Sequence, residues 1–339
     1  MCKEKNISKI AFIVFIILQN YLMFNYYFLS ESIRTNAQMS YVMFIVVLAI
    51  SLILVILLPK KISKIKYFQL LKKCKLLKLC LLIAKTIILF MTLYIGTRTL
   101  SIALFPTVNP YVFIISLLII TIIVSNFNPE NIINTSCILF LVGFFMMIIP
   151  LFLNSNIKDF SLLLPITSIS SLGTLSCIYL FLDSITLIFF NDGVEVTKRD
   201  VMFGVLILFS ICIIETLNVL VLCGTNYLQN NEFLGFFSLY IQDTITYIGN
   251  LSFIYIYLIP CVCIFKSALS IVFVKNILNI NRSILFDIIL LCLLFLSISL
   301  TLDLGKSLIT ILLNITIVLL IPIYLFFVVN RNDNIEVTV

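Results

Sequence analysis

The chain has 339 residues, of which 62% are hydrophobic and 11% charged, and its formal net charge is +7. A mean hydropathy of +1.22 excludes a soluble globular domain. A helix needs ~20 predominantly apolar residues to cross a bilayer, and such stretches recur from Ile10 to Phe327. A β-barrel would instead show alternating segments of about ten residues. The sequence therefore predicts an all-α polytopic membrane protein.

Ten apolar runs, separated by polar breaks, predict ten transmembrane helices. The predicted spans are 9–28, 40–58, 79–104, 111–125, 133–153, 166–190, 200–225, 250–274, 284–302 and 308–329. The first run is too long for a signal peptide and lacks a small-residue cleavage site, so we interpret it as the first span. The segment 227–247 is too polar to span, and its aromatic residues favour an interfacial helix or an extracytoplasmic loop.

The whole chain, 1–339, is thus predicted to form one integral membrane domain, with a first half at 9–153 and a second half at 166–329. A basic loop occupies 59–78, where eight lysines lie between Lys60 and Lys78. With the N-terminus in the cytoplasm, sixteen of the 22 Lys and Arg residues lie inside and three outside. The positive-inside rule then places both termini, including the tail 330–339, in the cytoplasm. We expect the loop to contact anionic lipids rather than nucleic acid.

The ten cysteines and the absence of histidine narrow the possible chemistry. No C-x-x-C pair occurs and most cysteines fall inside predicted spans, so we expect buried thiols and no metal or cofactor. Without histidine the commonest general base is missing. No paired-carboxylate motif or nucleophile–base pair is evident, and we therefore do not expect an enzyme.

The sixth predicted span begins with an unusual stretch, LLLPITSISSLGTLSCIYLFLDS at 162–184. Ser170, Ser171, Gly173 and Thr174 provide small volume, backbone freedom and hydroxyl groups within a short length of helix. A broken helix of this composition presents its ends to substrate in transporters built from inverted repeats. Small residues also allow two helices to pack closely, and both interpretations remain open.

Ionisable residues within spans mark a second class of candidates: Arg98, Asp183, Glu215 and Lys266. Each costs roughly 2.5–3.5 kcal/mol at a helix centre, so such groups usually face a cavity or a partner. An ion pair of Lys266 with Glu215 or Asp183 is the structural alternative to a ligand site. Lys85, near the start of the third span, is expected to snorkel to the cytoplasmic edge.

Span one carries amides and tyrosines in LQNYLMFNYY. Amides in lipid are costly unless they are hydrogen-bonded, so Gln19 and Asn20 predict that this helix faces the interior of the bundle. Spans one and six hold equivalent places in two halves of five spans each. The two helices richest in polar residues thus lie where a 5+5 inverted repeat would form its site.

Four stretches together resemble a known family. They are FPTVNPYVFIISLL (105–118), DFSLLLPI (159–166), FLGFFSLYIQDTITYI (233–248) and IPCVCIFKSALSIV (259–272). Their order and spacing are similar to those of the permease-like B subunits of spore-germination nutrient receptors, a branch of the amino acid–polyamine–organocation (APC) transporter superfamily. One departure is that span one, with LQNYLMFNYYFL, lacks the small or helix-breaking residues usual in that family.

The resemblance implies a 5+5 bundle of APC type in the inner spore membrane. It also implies a small nutrient, an amino acid, as ligand, and a large A subunit and a lipoprotein C subunit as partners. We expect the ligand to be bound by residues of spans one, three, six and eight: Gln19, Asn20, Tyr94, Arg98, Ser170, Ser171, Gly173, Thr174 and Lys266. A secondary amino-acid transporter is the alternative, because the same scaffold transports in its relatives.

Overall fold

The computed structural model describes residues 9–59, 61–62, 74–139, 158–163, 172–186, 196–228, 251–280 and 283–329. Almost all of these residues are helical. The α-helices are α1 (Lys9–Met23), α2 (Leu29–Asn36), α3 (Ser40–Leu57), α4 (Lys75–Arg98), α5 (Pro110–Ser125), α6 (129–139), α7 (Ile178–Thr186), α8 (Lys198–Leu228), α9 (Leu251–Leu278), α10 (Ile284–Thr301) and α11 (Gly305–Val329). Two short strands, β1 (Lys61–Ile62) and β2 (Val196–Thr197), pair antiparallel.

Five helical segments are long and apolar enough to cross a membrane: Ile13–Leu57, Lys75–Ile102, Lys198–Gly224, Tyr257–Leu278 and Ile284–Val329. Large apolar side chains are exposed along them, among them Ile53 at 59% and Leu293 at 61%. Such exposure would be unfavourable in water and is what a lipid-facing surface requires. The prediction of an all-α membrane protein is confirmed.

The two longest segments are each divided by a backbone break. A straight helix of 45 residues would be about 68 Å long, more than twice the ~30 Å hydrocarbon thickness. Ala37 has φ 46° and Gly305 has φ 58°, a region that interrupts a right-handed helix. The first break separates α2 from α3, and the second separates α10 from α11.

Two contacts of α11 show the direction in which α3 runs. At one end of α11, Lys306 Nζ donates to Ser30 Oγ (2.6 Å). At its other end, the Tyr324 hydroxyl donates to the main-chain oxygen of Leu54 (2.9 Å). Ser30 precedes α3 and Leu54 lies near its end, so α3 and α11 run in the same direction.

Residues 158–163, which precede α7 in the chain, are hydrogen-bonded to the C-terminal part of α8. The Asp159 amide donates to the main-chain oxygen of Val221 (3.2 Å). The Ser161 hydroxyl donates to Asp159 Oδ1 (2.6 Å), and this bond and that of the Ser161 amide hold the pKa of Asp159 below its ordinary value. Gly224, with φ 65°, interrupts α8 beside Leu162.

Most helix limits agree closely with the predicted spans, and α4 begins four residues earlier, at Lys75 rather than 79. The last part of the basic loop is therefore helical. Residues 140–157, 164–171 and 229–250 lie outside the described residues. They hold the second part of the predicted fifth span, the start of the sixth and most of the segment 227–247.

Candidate functional site

A buried charge cluster joins three helices in the interior. Asp183 of α7 places Oδ1 2.9 Å from Lys85 Nζ of α4 and Oδ2 2.9 Å from Lys266 Nζ of α9. The three residues are 0%, 3% and 3% exposed, respectively. We call Lys85, Asp183 and Lys266 the central cluster. Through its two carboxylate oxygens Asp183 links α7 to both α4 and α9.

The position of Asp183 follows from the complete burial of α7. Every residue from Tyr179 to Thr186 is buried, so this short helix lies inside the bundle and its one carboxylate needs partners there. The Thr186 hydroxyl donates to the main-chain oxygen of Asp183 (2.7 Å) and lies 3.4 Å from Oδ1. Local contacts within α7 and long-range contacts with the two lysines thus hold the carboxylate in place.

Each lysine of the central cluster also faces an aromatic ring. Lys85 Nζ lies 5.6 Å from the centre of the Phe273 ring, and Lys266 Nζ lies 5.8 Å from that of Tyr179. The negative face of an aromatic ring attracts a cation, the more so away from water. These rings therefore stabilise the ammonium groups on sides that Asp183 does not cover.

Span one closes the site through two amide residues. Lys266 Nζ donates to the main-chain oxygen of Gln19 (3.3 Å). Asn20 Nδ2 donates to the Ser184 hydroxyl (2.7 Å), next in sequence to Asp183. Gln19 and Asn20 are 2% and 0% exposed, as expected for a helix that faces the interior. Helices α1, α4, α7 and α9 therefore meet at the central cluster.

Tyr94 and Arg98 lie elsewhere. The Tyr94 hydroxyl and Arg98 Nη1 both donate to the main-chain oxygen of Leu302, at 3.1 and 3.3 Å. This oxygen belongs to the turn between α10 and α11, and Arg98 is about 20 Å along α4 from Lys85. Gln19, Asn20 and Lys266 thus lie at or beside the central cluster, whereas Tyr94 and Arg98 lie at this turn.

The start of the sixth span is partly described. Gly173 and Thr174 belong to a 3-10 helix, Leu172–Cys177, that leads into α7. Ser170 and Ser171 lie outside the described residues. A 3-10 segment leaves different backbone groups unpaired than an α-helix does and is frequent at helix ends.

The expectation for Lys85 is wrong. Instead of snorkelling to the edge, its ammonium group is buried and paired with Asp183. Lys85 lies about 15 Å along α4 from Lys75, and its ammonium group lies against Asp183 in the interior rather than toward the end of the helix. The signal that could have identified it is the single carboxylate at a similar depth of the sixth span.

Glu215 occupies a separate polar site between α1 and α8. The sequence left both Glu215 and Asp183 open as partners of Lys266, and the pairing is with Asp183. Glu215 Oε2 instead accepts a hydrogen bond from the Tyr21 hydroxyl. One turn further on, α1 becomes a π-helix over Phe24–Phe28, a form that is rare and frequent at functional sites. Span one is therefore irregular without glycine or proline.

A second buried ion pair lies near the end of the bundle. Lys275 Nζ of α9 is 2.6 Å from Asp287 Oδ1 of α10. Both residues are buried, at 7% and 8% exposed. This pair connects consecutive helices across the short turn that follows Asn279, and it has one lysine to one carboxylate. It is therefore a natural control for the charge balance of the central cluster.

Comparison with known protein families and with curated proteins finds no match to this chain. The fold and the site define a class of protein, namely a helical membrane protein whose interior holds a carboxylate between two lysines.

Proposed function

We propose that the chain is the permease-like membrane subunit of a spore nutrient-germinant receptor. In this role it binds a small nutrient, an amino acid, within the bundle and signals germination to a large A subunit and a lipoprotein C subunit. The four stretches that resemble the receptor family support the assignment. One structural observation carries it furthest: α1, α4, α7 and α9 converge on the buried central cluster.

The proposed topology is a ten-span bundle with a 5+5 inverted repeat. In that arrangement α1, α4, α7 and α9 belong to spans one, three, six and eight, where the APC scaffold forms its ligand site. Contacts between two segments that are both predicted to be cytoplasmic support their location on the same side of the bundle. Lys198 donates to the main-chain oxygen of Ile56, and Lys61 pairs with Thr197. Both termini then lie in the cytoplasm, with the Lys60–Lys78 loop on anionic lipids.

The physical logic of binding and signalling is that of a two-state bundle. Charged groups in hydrocarbon are costly and usually functional, and an amino acid carries both signs of charge that the central cluster can pair. A ligand that pairs with the cluster more strongly in one packing of the four helices shifts the population toward that packing. Partner subunits that contact the bundle would respond to this shift.

The test is germination of spores that carry variants of the full chain. Lys266→Gln is expected to move the dose response to an amino-acid germinant to higher concentration by roughly tenfold or more, because a charge-assisted contact is lost. Lys275→Gln removes another buried lysine from the same helix and serves as the matched control. Spores that lack the chain yet germinate normally on every amino acid would contradict the proposal, as would an unchanged response in Lys266→Gln at normal abundance.

A secondary amino-acid transporter is the second candidate. The observation that favours it is the half-buried Glu215 carboxylate, bonded to Tyr21 beside the π-helix of span one. An intramembrane carboxylate of this kind is typical of proton and ion pathways. Proteoliposomes that contain the chain alone discriminate the two: sustained uptake of labelled amino acids favours transport, and binding without uptake favours the receptor subunit.

A further inference from the structure

The central cluster holds more positive than negative charge. Among the residues that the structure describes, Asp183 is the one carboxylate in contact with Lys85 and Lys266. With both amines protonated, one positive charge has no counter-ion within the described part of the chain, although all three side chains are buried. Uncompensated charge in a protein interior is strongly unfavourable. Either the release of a proton by one lysine or the binding of one additional monovalent anion would balance the cluster.

Two residues adjacent to Lys266, one by contact and one in sequence, carry hydrogen-bonding groups without partners among the described residues. Gln19, whose main-chain oxygen contacts Lys266, has a buried side-chain Nε2 with no hydrogen-bond partner among the described residues. Ser267, next to Lys266, is fully buried and its hydroxyl is likewise unpartnered within that part of the chain. Buried polar atoms are normally bonded. A carboxylate accepts several hydrogen bonds at once, so these donors suit an anion.

We propose that the central cluster binds a carboxylate ligand whose net charge is −1. This inference rests on the proposed ligand-binding function and specifies its substrate class. The ligand carboxylate pairs with Lys266 and Lys85 as a second carboxylate beside Asp183, and the cluster then carries two negative and two positive charges. An acidic amino acid meets this requirement, and so does a simple monocarboxylate. A neutral zwitterion does not, because it leaves the excess charge unchanged.

The first experiment uses the unmodified full chain in lipid nanodiscs. Equilibrium binding is measured for glutamate and aspartate, for their neutral counterparts glutamine and asparagine, and for acetate and lactate. We expect the anionic ligands to bind tighter than the neutral ones by roughly tenfold or more. Glutamate against acetate distinguishes an amino acid from a simple carboxylate. Equal affinity for glutamate and glutamine, and for aspartate and asparagine, overturns the inference and leaves amino-acid binding intact.

The second experiment changes the charge of the cluster. Lys85→Met makes the cluster neutral, so the preference for anions over neutral ligands should disappear. Asp183→Asn raises the excess charge, so anion affinity should increase although the protein is less stable. A merely structural role for Asp183 would lower affinity instead. Lys275→Met, from the peripheral ion pair, should leave the preference unchanged.

The outcomes separate this inference from the proposed function. Binding of simple monocarboxylates without any amino acid would support the charge argument and contradict the proposed function. Tight binding of neutral amino acids alone would support the proposed function and contradict the charge argument. Unchanged anion preference in Lys85→Met, with weaker anion binding in Asp183→Asn, overturns the inference. Absence of binding by every ligand in the wild-type protein overturns both.

Discussion

Lys85 Nζ donates a 2.9 Å hydrogen bond to Asp183 Oδ1, across 98 positions of the chain. The other oxygen of Asp183 lies 2.9 Å from Lys266 Nζ. One carboxylate on a short, fully buried helix therefore connects two long helices that reach the surface. The effect of removing one charge on the stability of the protein therefore depends on which charge is removed.

Asp183→Asn should be the most destabilising single change in the central cluster. It leaves two buried ammonium groups without a counter-ion, and the loss of one partner of a buried ion pair typically costs about 3–5 kcal/mol. Thermal unfolding of the detergent-solubilised full chain measures the effect. Asp287→Asn is the control, since it leaves only one lysine, near the end of the bundle. A Tm equal to that of the wild type would show that Asp183 does not hold the helices together.

Lys85→Met should destabilise less, by about 1–3 kcal/mol. It removes the hydrogen bond to Asp183 Oδ1 and leaves Asp183 paired with Lys266. Removal of the excess positive charge offsets part of this loss, so the effect is smaller than that of Asp183→Asn. The exposed Lys75→Met, at the start of the same helix, should be neutral within ~0.5 kcal/mol. Unfolding curves of the two variants side by side are the measurement. Equal stability of Lys85→Met and Lys75→Met would restore the snorkelling interpretation.

The membrane class and most helices could be predicted from the sequence because hydropathy directly reports transfer into lipid. The spans that correspond to α5, α10 and α11 were placed within a few residues. The interruptions were harder to predict. The π-helix at Phe24–Phe28 contains no glycine or proline, and the break at Ala37 uses a residue without preference for positive φ. Tertiary packing, rather than local propensity, decides such features.

The candidate site was predicted in part. The burial of Gln19 and Asn20 followed from the cost of polar groups in hydrocarbon, and so did an ion pair of Lys266 with either Asp183 or Glu215, between which the sequence did not decide. The role of Lys85 did not, because a long side chain can reach water from several depths. The position of Lys85 along its helix is counted from the start of α4. The predicted start of α4 differs from the observed one by four residues.

Tyr21 and Glu215 should be energetically coupled. The Tyr21 hydroxyl donates to the Glu215 carboxylate between α1 and α8, and hydrogen bonds to charged groups contribute about 1.5–3 kcal/mol. A double-mutant cycle with Tyr21→Phe and Glu215→Gln, measured by thermal unfolding, should give a coupling free energy of about 1–3 kcal/mol. Tyr27→Phe, which removes the contact to Thr310, should be additive with Glu215→Gln. Additivity of the Tyr21 pair as well would contradict the predicted coupling.

Substitution by alanine should change the stability of the protein differently at two helical glycines. A Cβ on Gly96 would lie 3.2 Å from the Cβ and Sγ of Cys263 and from Leu117 Cδ1, whereas a Cβ on Gly204 would lie 3.7 Å from Ile13 Cγ2. Gly96→Ala overpacks the contact between α4 and α9 and should lower the free energy of unfolding by about 1–3 kcal/mol. Gly204→Ala meets an ordinary contact and should be neutral or stabilising by up to ~1 kcal/mol, since alanine favours the helix.

Cys263→Ala tests the cause of the Gly96 effect. In the Gly96→Ala background it removes the crowded Sγ but keeps Cβ, which lies at the same 3.2 Å, so it should recover part of the lost stability and not all of it. The same Cys263→Ala change in the wild-type background should destabilise, because a buried side chain is shortened. The opposite sign in the two backgrounds, measured as Tm of the full chain, identifies close packing of α4 on α9. A loss of equal size in both backgrounds would mean that Gly96 is required for a reason other than the approach of these helices.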